Sequence, residues 1–294
     1  MDRHGKIISF INMKGGVGKT TLCKEMANYI SLTVNEATNE KFKVLVIDID
    51  PQSNLTQAFD SRFPQTNMVI SDESGNVIQG KRSIEKIFNN KPIENTKDII
   101  VELHDNLDII PGELETVFLE RAQNNNTAHK LMDFVKDNKI TKDYDFIFID
   151  CPPTYSVYTE MAFFISDFYF VPVIPDAYST LGVDLLERVV DDIVYNNRNT
   201  IFSENKPLNL GVVFTRVDKA NKPQQESYIK ALGKSDIVNE KKIYIFKSMF
   251  TESNKLSTSE FEKLITDRED KRLGSMLSNL CTEFLYRVED LTNG

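Results

Sequence analysis

Lysine and threonine follow a cluster of glycines near the start of the chain, in FINMKGGVGKTT at residues 10–21. Closely spaced glycines let backbone N–H groups approach an anion, and a helix beginning there adds positive potential. In such a phosphate-binding loop, Lys19 would reach the β- and γ-phosphates of a nucleotide and Thr20 would hold Mg²⁺. The usual first glycine of G-x-x-x-x-G-K-[ST] is absent, but the stretch still predicts nucleotide binding.

Three aspartates end apolar runs elsewhere in the chain. Asp48 and Asp50 close KVLVIDID, and Asp150 closes DFIFID. A single acid in such a place is more often a helix cap or a turn residue. Three of them in a chain with a phosphate-binding loop favour a functional role over that reading.

Short apolar runs rich in Ile, Val and Phe would position these residues. Uninterrupted runs of this kind are typical of strands buried on both faces of a parallel sheet. They are KIISFIN, KVLVIDID, LDIIPG, DFIFIDC, FYFVPVIP, NLGVVFTR and KIYIF. Helix-like segments lie between them, so we predict an α/β fold with a doubly wound, mostly parallel sheet flanked by helices. Ligands in such sheets bind beyond the carboxyl ends of the strands.

The length allows roughly one to two domains, and the simplest partition is one domain over residues 1–294. No repeat or low-complexity linker divides the chain, and a variable insertion is expected at about 61–98, where turn formers mix with polar residues. The chain lacks an apolar run of about 18 residues and a secretory signal pattern, so we expect a cytoplasmic protein. The widely spaced Cys23, Cys151 and Cys281 predict reduced thiols.

Charge is distributed unevenly along the sequence. The formal net charge of −9 argues against a protein that coats nucleic acid over its whole surface. Residues 206–255, however, carry ten Lys or Arg against five acids, a local surplus of +5 that leaves −14 for the remainder. Either a solvated face or a local contact with nucleic acid explains this surplus.

The motif KGGVGKTT resembles the deviant Walker A box of the ParA/MinD family of ATPases. The resemblance implies ATP and Mg²⁺ as cofactors and a homodimer that sandwiches two nucleotides. Lys14 matches the family lysine that crosses the dimer to the partner's phosphates, where an extra cation stabilises phosphoryl transfer. The residues that the resemblance places around the nucleotide are Lys14, Gly15, Gly16, Val17, Gly18, Lys19, Thr20 and Thr21 at the phosphates, with Thr215 and Arg216 at the adenine.

Two further segments resemble the switch regions of that family. VLVIDIDPQSNLT is similar to its D-x-D-P-Q segment, which implies that Asp50 acts on the attacking water and that Asp48 lies near Mg²⁺. YDFIFIDCPPTYS is similar to its Walker B strand and second switch, which implies that Asp150 holds Mg²⁺ through water. Lys14, Lys19 and Asp50 are then the catalytic residues, and Thr20, Asp48 and Asp150 the metal residues.

The resemblance also separates branches of the family. DPQSNLT is the ParA/Soj form, whereas MinD-like members end in a basic membrane-binding helix, and this chain ends in CTEFLYRVEDLTNG, with three acids and one arginine. The implied function is plasmid or chromosome partition without membrane binding. The ATP-bound dimer would bind nonspecific DNA at the nucleoid, and a centromere-binding ParB-like adaptor would stimulate a slow hydrolysis of ATP.

Candidate DNA contacts come from the basic stretch. TESNKLSTSE resembles a family segment of the R-x-x-R-L-S-E-A type, with Lys255 at its second basic position and Glu252 in place of its first arginine. The predicted contacts are Lys219, Lys222, Lys247 and Lys255. Two rival functions remain at this point: an ATPase that positions another cellular machine without DNA, and a ligase that phosphorylates a small acid.

Overall fold

The computed structural model describes residues 5–66, 70–71, 77–78, 82–88, 93, 95–113, 127–218, 222–251 and 263–293. The strands within these residues are β1 (Lys6–Phe10), β2 (Val34–Asn35), β3 (Glu40–Lys41), β4 (Val44–Asp48), β5 (Ile70–Ser71), β6 (Val77–Ile78), β7 (Val101–His104), β8 (Leu107–Ile110), β9 (Phe146–Asp150), β10 (Phe168–Val173), β11 (Leu208–Val217) and β12 (Phe250–Thr251). The α-helices are α1 (Lys19–Leu32), α2 (Asn54–Arg62), α3 (Glu85–Phe88), α4 (Thr127–Asp137), α5 (Val157–Ile165), α6 (Ser179–Asn196), α7 (Lys222–Gly233), α8 (Asp236–Lys241) and α9 (Lys271–Asn293).

A central sheet runs in the order β12-β11-β10-β1-β9-β4-β8-β7 across the described part of the chain. Its neighbouring strands are parallel except at the edge, where β7 runs antiparallel to β8. The chain crosses from β1 to β4 on one side, and it later crosses from β9, past β1, to β10 on the other. In the parallel register, Asp48 is opposite Asp150 and Asp150 is opposite Phe10. The acids that end β4 and β9 therefore meet beside the loop that follows β1.

Alternate strand residues point to opposite faces of this sheet, so its apolar strands present apolar side chains on both. Helices cover each face. One face packs Leu45 and Ile147 against side chains of α4 to α8, and the other packs Val46 and Phe148 against α1, α2 and α9. The helical residues that cover the first face include Leu131, Phe134, Met161, Phe163, Leu186, Val190, Leu232 and Val238. Those that cover the second include Leu22, Met26, Leu55, Phe59, Leu277, Leu280 and Phe284. The doubly wound, mostly parallel fold is confirmed.

One of the predicted strands is wrong. KIYIF forms only an isolated bridge between Ile245 and Val212, and the edge strand beside β11 is β12. The ring of Phe246 fills the space at Gly211, where a Cβ atom would stand 2.7 Å from the ring carbon Cε2. The segment therefore packs over β11 as well as pairing with it, and a strand beside β11 resumes only with β12. The apolar pattern also missed β7, whose residues alternate between buried and exposed.

Several expectations concern the chain as a whole. None of the helices in the described ranges is long and apolar enough to cross a membrane. The three cysteines are free and buried, as predicted. Of the expected insertion at 61–98, residues 67–69, 72–76, 79–81, 89–92 and 94 lie outside the described residues, and the single-domain partition stays a prediction.

Candidate active site

The glycine-rich stretch forms a turn between β1 and α1. Gly16 and Gly18 have φ angles of 71° and 90°, in the left-handed region that glycine enters without a steric cost. Gly18 is the N-cap of α1, so the helix begins at the next residue, Lys19. The first N–H groups of this helix have no intrahelical acceptor and are free to bind an anion.

Lys19 is almost fully buried beneath this turn. Its Nζ atom donates to the carbonyl oxygens of Asn12 at 3.1 Å and Lys14 at 3.2 Å. Burial lowers the pKa of Lys19, although the nearby Asp150 and Asp50 act to raise it. A phosphate in the loop would offset this loss of hydration, since an anion favours the charged lysine.

Thr20 and Asp150 form the next part of the site. The Oγ1 atom of Thr20 donates to Oδ2 of Asp150 at 2.7 Å. Asp150 is fully buried, and its Oδ1 atom has no hydrogen-bond partner within the part of the chain that the structure describes. Burial and the charge of Asp48 raise the pKa of Asp150. A hydroxyl and an unsatisfied carboxylate oxygen beside a phosphate loop fit Mg²⁺, which prefers hard oxygen ligands.

Asp48 is held by hydrogen bonds within the chain. Its Oδ2 atom accepts from the N–H of Thr56 at 2.9 Å and from Oγ1 of Thr56 at 2.7 Å, while Oδ1 accepts from the N–H of Asp50 at 3.2 Å. Burial raises the pKa of Asp48 to about 7, although the bonds from Thr56 lower it. Both oxygens thus anchor α2 and the strand end, and a role for Asp48 near Mg²⁺ stays a prediction.

Asp50 follows Asp48, the last residue of β4, by two positions and is buried. Its Oδ1 atom accepts from the N–H of Gln52 at 2.9 Å, and its charge acts on Lys19 and Asp150. The structure therefore brings Lys19, Thr20 and the three aspartates to one edge of the sheet. The water-activating role of Asp50 stays a prediction.

Lys14 points along the surface rather than into the loop. Its ammonium group forms an ion pair with Asp176, which follows β10, and its side chain is half-exposed. The N–H of Lys14 donates to Oδ1 of Asn12 at 2.9 Å, and Nδ2 of Asn12 donates to the carbonyl of Pro172 at 2.7 Å. Desolvation acts to raise the pKa of Asp176, but the hydrogen bonds from Lys14 and Tyr178 lower it overall.

Thr215 and Arg216, predicted at the adenine, differ in their surroundings. Thr215 is buried, and its Oγ1 atom donates to the carbonyl of Val17 at 2.7 Å, which ties the end of β11 to the loop. Arg216 is exposed and has a φ of 50°. Thr215 thus supports the loop itself, and contact of either residue with adenine stays a prediction.

The predicted DNA contacts are only partly described. Lys247 is exposed, and its N–H donates to Oε1 of Glu283 at 2.8 Å. Lys222 begins α7, but its side chain is outside the described residues, as are Lys219 and Lys255. All four stay predictions.

A family pattern and known relatives match this chain. The pattern of a family described as an AAA domain matches residues 5–203. A ParA family protein of Mycoplasma pneumoniae is 31% identical over 197 residues, 66% of this chain and 67% of the relative. The chain belongs to the ParA family. The predicted resemblance is therefore confirmed.

Another member of the ParA family and two solved structures are also similar to this chain. The chromosome-partitioning ATPase Soj of Treponema pallidum is 28% identical and covers 76% of each chain. A plasmid partition protein of Borrelia burgdorferi bound to AMPPNP superimposes with a TM-score of 0.70 at 22% identity, over 96% of this chain and 99% of that one. The ATP complex of a Cyanothece McdA variant gives 0.71 at 18% identity, over 96% of each. At these identities the two structures show a shared fold.

Four residues that support this ParA-family site were missed from the sequence: Asn12, Thr56, Gly112 and Asp176. Asp176 follows an apolar strand, the same signal that identified Asp48 and Asp150. Asn12, Thr56 and Gly112 carried no comparable signal, because each acts through contacts with residues distant in sequence.

We expect a side chain at Gly112 to destabilise the fold. A Cβ atom there would stand 2.9 Å from Cγ of Asp48 and 3.0 Å from Oγ of Ser53. The N–H of Gly112 also donates to Oγ1 of Thr56 at 2.8 Å. Gly112→Ala should therefore lower the free energy of unfolding by about 1–3 kcal/mol, as overpacking does.

Urea unfolding would measure this effect. The matched control is Gly274→Ala on α9, where a Cβ atom meets nothing within 4 Å. Alanine favours a helix over glycine by about 1 kcal/mol, so the control should be neutral or stabilising. Equal stability of Gly112→Ala and Gly274→Ala would contradict the packing around Asp48.

Proposed function

We propose that this chain is a DNA partition ATPase, which closes into a dimer around two ATP molecules and hydrolyses them slowly. The observation that carries the ATPase assignment is the convergence of Lys19, Thr20 and Asp150 beneath a loop with two left-handed glycines, with Lys19 and Asp150 buried. Among the described residues, the Oδ1 atom of Asp150 has no hydrogen-bond partner, which supports a metal beside the phosphates.

Each described group has a defined task in this proposal. The N–H groups at the start of α1 and the ammonium of Lys19 bind the phosphate chain. Thr20 and Asp150 would hold Mg²⁺, which neutralises charge on the phosphates when bound. Asp50 orients the attacking water. Lys14 of the second copy approaches the transferring phosphate, where a cation stabilises the developing charge.

Hydrolysis can act as a switch because it changes contacts at the γ-phosphate. A ligand shifts a two-state equilibrium only through its different affinity for the two states. Asp50 lies two residues from Asp48, which holds the first turn of α2 through Thr56. Loss of the γ-phosphate beside Asp50 would therefore alter a segment tied directly to α2.

The proposed partners are nonspecific DNA and a ParB-like adaptor that accelerates hydrolysis. Support for DNA comes from the surplus of +5 in residues 206–255 and from the partition proteins among the relatives. The ATP-bound dimer would then lie at the nucleoid. A second candidate, positioning of a cellular machine without DNA, is favoured by Glu252 in place of the family arginine and by the net charge of −9.

Binding to a random-sequence DNA duplex would separate the two candidates. We expect binding with ATP and Mg²⁺ that weakens steeply between about 50 and 200 mM salt, because lysine contacts with phosphates release counterions. Binding with ADP or without nucleotide should be much weaker. ATP hydrolysis and dimerisation without DNA binding in any state would favour the positioning ATPase.

A further inference from the structure

Helix α6 exposes a row of large apolar side chains. Tyr178, directly before the helix, Leu181, Leu185 and Tyr195 are 68%, 64%, 49% and 63% exposed. Arg188 is exposed between them, and steps of three and four residues keep the row on one face of the helix. An exposed apolar row with this spacing is the pattern of a helix that packs against another helix.

The two ends of this row differ. At the far end, the guanidinium of Arg198 lies 4.0 Å from the centre of the Tyr195 ring, so this ring already contacts a cation of its own chain, although it stays 63% exposed. At the near end, the apolar groups of Tyr178, Leu181 and Leu185 stay exposed. We call these three residues the α6 stripe. The α6 stripe thus lies at the end of the helix that begins at the carboxyl edge of the sheet, beside the candidate nucleotide site.

The α6 stripe is continuous with the surface around Lys14. The N–H of Tyr178 donates to Oδ1 of Asp176 at 2.9 Å, and Asp176 pairs with Lys14. In the proposed dimer Lys14 must cross to the second copy. Tyr178, where the α6 stripe begins, lies two residues from Asp176. Closure of the dimer around Lys14 would therefore cover the α6 stripe as well.

The α6 stripe is also complementary to itself. A two-fold axis near residue 183 would bring two α6 helices together antiparallel, with Leu181 of one copy against Leu185 of the other. Tyr178 would then face Arg188 of the second copy, and a guanidinium over a tyrosine ring is attractive. Gly182 lies beside this axis, and a Cβ atom there would meet nothing within 4 Å, so this part of the helix surface is open to a neighbour. Isologous pairing of this kind is the usual geometry of homodimers.

We propose that the α6 stripe is the apolar part of the interface between two copies of this chain. This inference rests on the proposed ATP-bound dimer and assigns to it a surface outside the nucleotide site. The stripe supplies apolar contact to the dimer, while the nucleotide and Lys14 make closure depend on ATP.

Sedimentation velocity with a non-hydrolysable ATP analogue and Mg²⁺ would test the proposal. Leu181→Glu and Leu185→Glu should each weaken dimerisation by at least about tenfold, because a charge would be buried in an apolar contact. Tyr195→Glu is the matched control on the same helix and should dimerise normally. Binding of a fluorescent ATP analogue to dilute monomer should be unchanged in all three variants, which would show that they fold.

Cross-linking would then locate the contact. The native cysteines are buried, so the double variant Leu181→Cys/Leu185→Cys would offer exposed thiols only on the α6 stripe. Mild oxidation with the analogue should join two chains. If the unsubstituted protein dimerises, unchanged dimerisation of both glutamate variants without cross-linking would overturn the α6 interface and leave the nucleotide sandwich intact. Absence of dimers in the unsubstituted protein would instead overturn the sandwich, and this inference with it.

Discussion

Replacement of Asp150 by asparagine is expected to slow ATP hydrolysis by at least about 100-fold, since metal binding supplies several kcal/mol of transition-state stabilisation. The nucleotide-free protein should nevertheless be at least as stable at pH 8 as the unsubstituted one. Asp150 is fully buried and leaves Oδ1 without a partner within the described residues, so its charge is costly until a cation neutralises it. Asparagine keeps the shape and an acceptor for Thr20 and removes the charge.

The stability difference should depend on pH in a defined direction. Burial and the charge of Asp48 raise the pKa of Asp150 above its value in the unfolded chain. An acid with a raised pKa lowers the free energy of unfolding when the pH exceeds that pKa. This destabilisation disappears as the pH falls towards the pKa of the same acid in the unfolded chain. Any advantage of Asp150→Asn should therefore be present at pH 8 and should shrink as the pH falls towards 5.

Thermal unfolding at both pH values and a steady-state phosphate-release assay would measure these effects. Asp105→Asn is the control, because Asp105 is exposed in the turn between β7 and β8. Hydrolysis by Asp150→Asn at the unsubstituted rate would contradict its metal role. A large loss of stability of Asp150→Asn at pH 8 would contradict the inference that the buried charge of Asp150 destabilises the nucleotide-free protein.

The parts of the site that the sequence predicted follow from strand ends. Asp48 and Asp150 each close a buried apolar run, and parallel pairing places such ends side by side, as the register of β4 with β9 confirms. The position of Lys19 and Thr20 at the start of α1 follows from the glycine-rich turn for the same reason. Local pattern and parallel pairing are sufficient for these residues.

The residues that the sequence did not predict depend on contacts between loops. Asp176 lies 162 residues from Lys14, and Gly112 lies 56 residues from Thr56. Such contacts depend on how each loop turns after its strand, which the apolar pattern does not specify. The wrong strand prediction for KIYIF has the same cause. Its composition fits a strand, but the ring of Phe246 packs at Gly211 and the segment forms only an isolated bridge.

Replacement of Lys14 by alanine is expected to reduce hydrolysis by at least about 100-fold, as loss of a cation supplied across an interface does in related phosphoryl transfers. Binding of ATP by the monomer should change little, because Lys19 rather than Lys14 lies beneath the loop. Nucleotide titration of dilute protein and a phosphate-release assay would separate the two effects. Equal loss of affinity and rate would mean that Lys14 serves the nucleotide of its own chain.

The ion pair of Lys14 with Asp176 leads to a related prediction for replacement of Asp176. If Lys14 must leave Asp176 to cross the dimer, Asp176→Asn should favour dimerisation, because asparagine can still accept from Tyr178 but holds no cation by charge. The side chains of Lys14 and Asp176 are 45% and 32% exposed, so the gain should be at most about fivefold. Asp176→Asn should have no such effect when Lys14 is already alanine, as a double-mutant cycle would measure. Weaker dimerisation of Asp176→Asn would show instead that the carboxylate guides Lys14 in the closed state, so the sign of the change decides whether this pair opposes closure or supports it.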